Sequence, residues 1–213
     1  MKFVSCTVLM AALLSTLAGV ARAQIVWQTP QSISGVSDIS TLGTYVDAIG
    51  VNDFGGAITI GDTTFNPFFS DSGITQSGVG GGSDGSGMTS PPYLKVLDGV
   101  GYVGFTEIPQ TGTITLNNLV SGDEYQVEVW NDGTRPTPII GSNTVILAQQ
   151  YVLGTFTAGN SPETFTWQNE PGNAGEINAV ALRLIPEPST YAMMIGGLAL
   201  LGFCLRRKAA VLI

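Results

Sequence analysis

Apolar and polar residues alternate along most of this chain in short runs, each closed by Gly, Asn, Asp or Pro. No stretch of the middle sustains a helical period. AITIGDTTF, from Ala57 to Phe65, predicts a hairpin on the two-residue turn Gly61-Asp62. YLKVL at Tyr93 and YVGF at Tyr102 read as two strands parted by the turn Asp98-Gly99. TITL at Thr113, YQVEVWN at Tyr125, TVILA at Thr144, YVLGTFTA at Tyr151, TFTWQ at Thr164 and NAVALRLI at Asn178 continue the pattern. With shorter strands near Ile25 and Tyr45, about ten strands recur at the spacing of a sandwich or barrel. β-Branched and aromatic residues dominate them, and no long apolar run asks for a parallel sheet. The expected fold is all-β: an antiparallel β-sandwich of jelly-roll type over residues 24–185. Within it, residues 70–92 (SDSGITQSGVGGGSDGSGMTSPP) form a Gly/Ser-rich insertion with little to bury, expected to be a mobile surface loop.

The pattern changes at both ends. Lys2, an apolar run from Phe3 to Val20, and Ala21-Arg22-Ala23 have the order of a secretory signal peptide, with Ala21 and Ala23 marking cleavage before Gln24. Residues 1–23 are therefore expected to hand the chain to the Sec export machinery. At the other end an apolar run covers Tyr191 to Leu205. As a helix it would extend about 22 Å, a short span for a hydrocarbon core about 30 Å thick. Ser189 and Thr190 on one side, and snorkelling by Arg206 on the other, would make up part of the gap. Arg206, Arg207 and Lys208 would stop it on the cytoplasmic side, leaving 209–213 as a cytoplasmic tail. Pro186 and Pro188 continue neither a strand ladder nor a helix, so they separate the domain from this anchor.

Pro186-Glu187-Pro188, then Ser-Thr, then a Gly-rich apolar stretch, then Arg206-Arg207-Lys208, resembles the PEP-CTERM sorting signal of bacterial exported proteins over residues 186–208. The resemblance implies recognition by a membrane-embedded exosortase, cleavage near the tripeptide, and transfer to the cell surface or extracellular matrix of a Gram-negative bacterium that makes exopolysaccharide. The additional Ala-Ala-Val-Leu-Ile after the basic cluster departs from the family's usual ending.

Charge and composition narrow what the middle can do. The net charge is -8, yet Lys2, Arg22, Arg206, Arg207 and Lys208 all lie in the end segments. Between Arg22 and Arg206, three basic residues (Lys95, Arg135, Arg183) face sixteen acidic ones, a net of -13. Such a surface repels phosphate backbones, so no nucleic-acid partner is expected. The two cysteines, Cys6 and Cys204, both fall in the apolar end runs, and there is no histidine. The middle thus lacks a disulfide, a thiolate nucleophile and the base of a Ser–His–Asp triad, and neither a metal nor a cofactor is expected.

Thr113 to Leu184 carries a second resemblance. LNNLVSGDEYQVEVWNDGTR, QQYVLGTFTAGN and NAVALRLIPEPS are similar to β-sandwich modules found before PEP-CTERM signals and to galactose-binding-like and malectin-like jelly rolls. This implies the architecture and glycan contact, but transfers no ligand residue. Along YQVEVWN, Tyr125, Val127 and Val129 share one face, the expected core. Gln126, Glu128 and Trp130 share the other, which would set Trp130 beside Asp132 and Arg135 as a sugar platform. The opposing reading is that Trp130 caps the sandwich end or packs under the following Pro136–Pro138 loop. Trp167, in phase with Phe165, is assigned to the core, and Trp27 to packing of the first strand.

A glycosidase needs two carboxylates at a set separation, and the spacing of these acidic residues singles out no pair. Asp123-Glu124 precede a strand, and Glu163, Glu170 and Glu176 are placed in solvated loops. The leading expectation is a noncatalytic surface or matrix protein associated with exopolysaccharide. A carbohydrate-binding module is the alternative, and a polysaccharide-active enzyme ranks third.

Overall fold

A computed structural model describes residues 24–51, 56–70, 73–83, 91–104, 108–160 and 162–186. In chain order the strands are β1 (Val26–Trp27), β2 (Gln31–Ser32), β3 (Thr44–Val51), β4 (Ile58–Ile60) and β5 (Thr63–Pro67). Next come β6 (Ile74–Ser77), β7 (Gly80–Ser83), helix α1 (Pro92–Leu97), β8 (Gly99–Val103), β9 (Thr111–Leu116) and β10 (Glu124–Asn131). The series closes with β11 (Thr137–Pro138), β12 (Val145–Ile146), β13 (Gln150–Thr157), β14 (Glu163–Gln168), β15 (Gly175–Ile177) and β16 (Ala179–Ile185).

The main sheet runs β1-β13-β10-β16-β3-β5-β4, with β2 also on β13. A second layer, β14-β9-β6, faces it, and β15-β8-β7 forms a further small sheet. Among the described residues the chain is all-β apart from α1 and a 3-10 turn at Val36–Asp38. The predicted hairpin forms as read: Ile60 pairs with Thr63 across Gly61-Asp62, with Gly61 at φ 62°, a conformation glycine adopts without penalty.

Two expectations about strand direction and element type are corrected. β3 and β5 pair in parallel, Ile49 opposite Asn66, so the main sheet is mixed rather than purely antiparallel. The direction follows from the hairpin: β5 is its inner arm, so it runs with β3 and leaves β4 at the edge. YLKVL is a helix, not a strand. Pro92 supplies the fixed φ that suits a helix start, and the buried residues Tyr93, Val96 and Leu97 fall three and four apart.

The Gly/Ser-rich segment is also more ordered than its composition suggests. β6 and β7 both lie within it, and β7 pairs with β8 from Gly80 opposite Tyr102 to Ser83 opposite Gly99. Its glycines have a packing reason. A Cβ on Gly81 would strike the Phe69 ring, one on Gly101 would strike Phe68, and one on Gly80 would lie 2.8 Å from Tyr102 Cζ. Rings lie against a backbone with no side chains in the way. Residues 71–72 and 84–90 of the expected loop lie outside the described residues.

Both faces of the central strands are buried. Tyr125, Val127, Val129, Val152, Phe156, Val180 and Leu182 meet Ile74, Ile114, Leu116, Phe165 and Trp167 of the second layer. On the reverse face Ile39, Ala48, Phe65, Trp130, Ala179 and Ala181 pack beneath Tyr93, Val96 and Leu97. Small residues let α1 approach: a Cβ on Gly50 would fall 2.7 Å from Ala179 Cβ and 3.1 Å from the Val96 carbonyl. Burying each large apolar side chain of α1 is worth about 1.5–3 kcal/mol, enough to hold a helix too short to persist by itself.

Candidate functional site

The predicted sugar platform does not assemble. Trp130 has no exposed surface, and its indole lies inside the reverse-face cluster, edge-on to Phe65 at 5.9 Å and stacked near Tyr151 at 6.4 Å. Alternation placed it correctly opposite Val129; what failed was the assumption that the second face meets water. Asp132 and Arg135 do come together, but in a polar knot at the end of β10. The Arg135 guanidinium pairs with the Glu176 carboxylate, and the Asp132 backbone N–H donates to Asn178 Oδ1 at 2.8 Å. The Thr137 hydroxyl donates to the Glu176 carbonyl and accepts from its N–H, at 2.7 and 2.8 Å. Asn131 Nδ2 donates to the carbonyls of Arg135 and Ile146, at 2.6 and 3.2 Å. Glu176 is therefore a buried strand residue rather than a solvated loop carboxylate. Burial raises the Asp132 carboxyl above its ordinary range. This arrangement fastens three chain segments, and the Arg135 charge is spent on Glu176.

Sequence reasoning missed a pair of buried carboxylates, Asp38 and Glu128, beneath α1. Burial works against the Asp38 charge. It is outweighed by donation from the Ser34 hydroxyl (2.5 Å), the backbone N–H groups of Gly35 (2.8 Å) and Ser34 (2.6 Å), and the Tyr93 hydroxyl (3.1 Å). The carboxyl is held below its usual range. Glu128 has the opposite fate. Burial pushes it up to about 8, against a single donor, the Ser40 N–H at 3.0 Å, and with the Asp38 charge nearby. Its Oε1 and the Gln126 Oε1 are buried without a hydrogen-bond partner. Arg183, the register neighbour of Gln126, is taken up elsewhere. Its guanidinium donates to Asp62, to the Thr63 hydroxyl, and to the carbonyls of Leu42 and Gly43. Asp38 is 8 % and Glu128 2 % exposed, so both carboxyls lie beneath the surface of the described residues. The available signal was the pair Gln126 and Glu128 in phase with Trp130.

An accessible recess lies elsewhere, between β1 and the Gly141–Leu147 loop. It encloses about 690 Å³ lined by Gln24 to Pro30 and by Gly141 to Val145 with Leu147. It adjoins a smaller recess of about 360 Å³ reaching Glu163, Thr164 and Phe165. Trp27 lines both, half-buried, with its ring edge-on to Phe165 at 5.2 Å. Opposite Trp27, Gly154 makes room, since a Cβ there would sit 2.8 Å from the indole. Trp27 thus packs its strand, as expected, and also walls a cleft bearing Gln28, Ser142, Asn143 and Thr144.

At the C-terminal end of the described chain, Pro186 directly follows β16. That strand is hydrogen-bonded on both sides, to β10 (Glu124 opposite Ile185) and to β3 (Thr44 opposite Leu184). Pro186 has no N–H to extend the ladder. Ala21, Ala23, Glu187, Pro188, Arg206, Arg207 and Lys208, and the apolar run 191–205, lie outside the described residues. Among the described residues no helix is long and apolar enough to cross a membrane.

The PEP-CTERM protein-sorting motif matches residues 184–208. Its first two positions, Leu184 and Ile185, are the last of β16, so the motif joins the folded sheet without a spacer. The chain carries a signal of exported proteins that exosortases recognise. No curated protein matches the chain, and no solved structure does.

Proposed function

We propose that this protein is exported, processed by an exosortase at or near Pro186-Glu187-Pro188, and displayed at the surface or in the extracellular matrix of a Gram-negative bacterium. There it acts as a noncatalytic component associated with exopolysaccharide. The observation that carries this reading is the sorting motif running straight out of β16. The noncatalytic assignment is supported by the absence of histidine from the chain and by the closure of Asp38 and Glu128 from solvent. The mature C-terminus, read by mass spectrometry in hosts with and without the exosortase, tests it. Processing near the tripeptide in the first host and full-length membrane protein in the second is expected. Full-length protein in both would refute it.

The Trp27 recess supports a second reading, a module with a specific glycan. An aromatic wall beside amide and hydroxyl groups suits the C–H face and hydroxyls of a sugar. Glycan-array binding by residues 24–185 that is lost in Trp27→Ala, with folding unchanged, would establish it; no binding to any extended polysaccharide would remove it.

A further inference from the structure

Among the described residues β1 forms one edge of the main sheet, and only β13 pairs with it. Val26 lies opposite Thr155 and Trp27 opposite Gly154, and the Gln28 N–H donates to the Leu153 carbonyl at 2.8 Å. Hydrogen-bonded and non-hydrogen-bonded positions alternate along an antiparallel pair. Val26 and Gln28 therefore turn their backbone groups to β13, and the N–H and carbonyl of Trp27 point out from the sheet. They meet no partner among the described residues. Open backbone at a sheet edge is a template for another strand, and such edges are commonly guarded by charge. This edge has no such guard: none of the described residues lining the recess beside β1 is charged. Its rim instead exposes Val26 (67 %) and Leu147 (50 %), with Val145 alongside and Ile140 in the adjoining recess.

We propose that β1 is a self-association edge, at which a second copy of this chain adds its own β1 antiparallel to the first and continues the main sheet across a two-fold axis at Trp27. The inference goes beyond both readings above and depends on neither. A two-fold contact brings one patch against itself, and an antiparallel strand pair is self-complementary in this way. With the axis at Trp27, each Trp27 N–H donates to the Trp27 carbonyl of the other copy, and Val26 of each lies opposite Gln28 of the other. Charge points to this face for a second copy. The chain between Arg22 and Arg206 carries a net of -13, so two copies repel over most of their surface and meet at least cost on an uncharged, partly apolar patch. One short strand and its rim make a small interface, so the association is expected to be weak and set by concentration.

Sedimentation of the full chain in mild detergent, over a series of concentrations and salt levels, tests this. A monomer–dimer equilibrium that strengthens as salt screens the like charges is expected. Val26→Glu and Leu147→Glu, both at exposed positions, should each weaken it by about tenfold or more with thermal unfolding unchanged. Val36→Glu, at an exposed position outside the recess, should leave it as in the wild type. The register has its own test in a Cys6→Ser, Cys204→Ser background. Chains carrying Val26→Cys, mixed with chains carrying Gln28→Cys and oxidised, should form a disulfide between the two kinds. A pair centred on Trp27 sets those Cα atoms about 4.5 Å apart, within disulfide reach, whereas each kind mixed with itself is offset by two residues and should link far less. A monomer at every concentration, or a dimer that persists equally in Val26→Glu and Leu147→Glu, overturns the inference. Association that weakens as salt rises, or cysteine links no more frequent between the two kinds than within each, overturns it as well.

Discussion

Replacing Glu128 with glutamine removes an ionisable proton from the interior beneath α1 while keeping its shape and its acceptor for the Ser40 N–H. The ordinary carboxyl value is 4.5 and the folded one about 8, with burial as the main cause. The folded state therefore holds this proton after the unfolded chain has lost it. The stabilisation is complete below the unfolded value and disappears as pH rises through the folded one. Each pH step of one between the two values removes about 1.4 kcal/mol, so the wild type should lose roughly 3 kcal/mol between about pH 5 and pH 8. In a domain of this size that is on the order of 10 °C in melting temperature. Asp132, also raised by burial, adds a slope of the same sign that the variant retains. Asp38 is lowered, so its contribution is lost only as pH falls through its folded value, outside this window. Urea unfolding of the domain at a series of pH values, followed by tryptophan fluorescence, measures the difference. Glu128→Gln should lose most of the slope and exceed the wild type in stability at the alkaline end. A wild type whose stability is flat over this range, or a variant with the same slope, would refute the burial argument.

Trp130→Ala should destabilise the domain by about 3–5 kcal/mol, seen as a lowered urea midpoint, because the indole fills the reverse-face cluster; a loss below about 1 kcal/mol would indicate that it is not packed there. Gly101→Ala should cost about 1–3 kcal/mol by forcing Phe68 off the sheet, whereas Gly159→Ala, with open space around it, should be near neutral in the same assay. Arg183→Met should cost about 2–3 kcal/mol by leaving the Leu42 and Gly43 carbonyls without their donor. Asp62→Asn should cost less than about 1 kcal/mol because that partner is largely in water; equal losses would place the energy in the ion pair instead.

The strands were legible wherever one face had to be apolar. TITL, YQVEVWN, YVLGTFTA, TFTWQ and NAVALRLI all lie in or across strands, and Gly61-Asp62 turns as its chemistry dictates. The reverse-face cluster was not legible, because Gln126 and Glu128 beside Trp130 look like a solvated face until α1 is known to cover them. That helix was missed because six residues are too few for a periodic signal to outweigh β-branched and aromatic composition. Pro92 and the spacing of Tyr93, Val96 and Leu97 were the cues available. The Gly-rich run was read through its entropy alone, since the phenylalanine rings that require bare backbone precede it in sequence. The Trp27 recess joins segments more than a hundred residues apart, a proximity that local patterns cannot express.

β16 is at once the last strand among the described residues and the seam of the main sheet, flanked by β10 on one side and β3 on the other. Until residue 185 is in hand, the two halves of that sheet have no common neighbour. A polypeptide cut short just ahead of this strand would lack its keystone rather than a trimming. The fold thereby ties completion of its architecture to arrival of the stretch that carries the address.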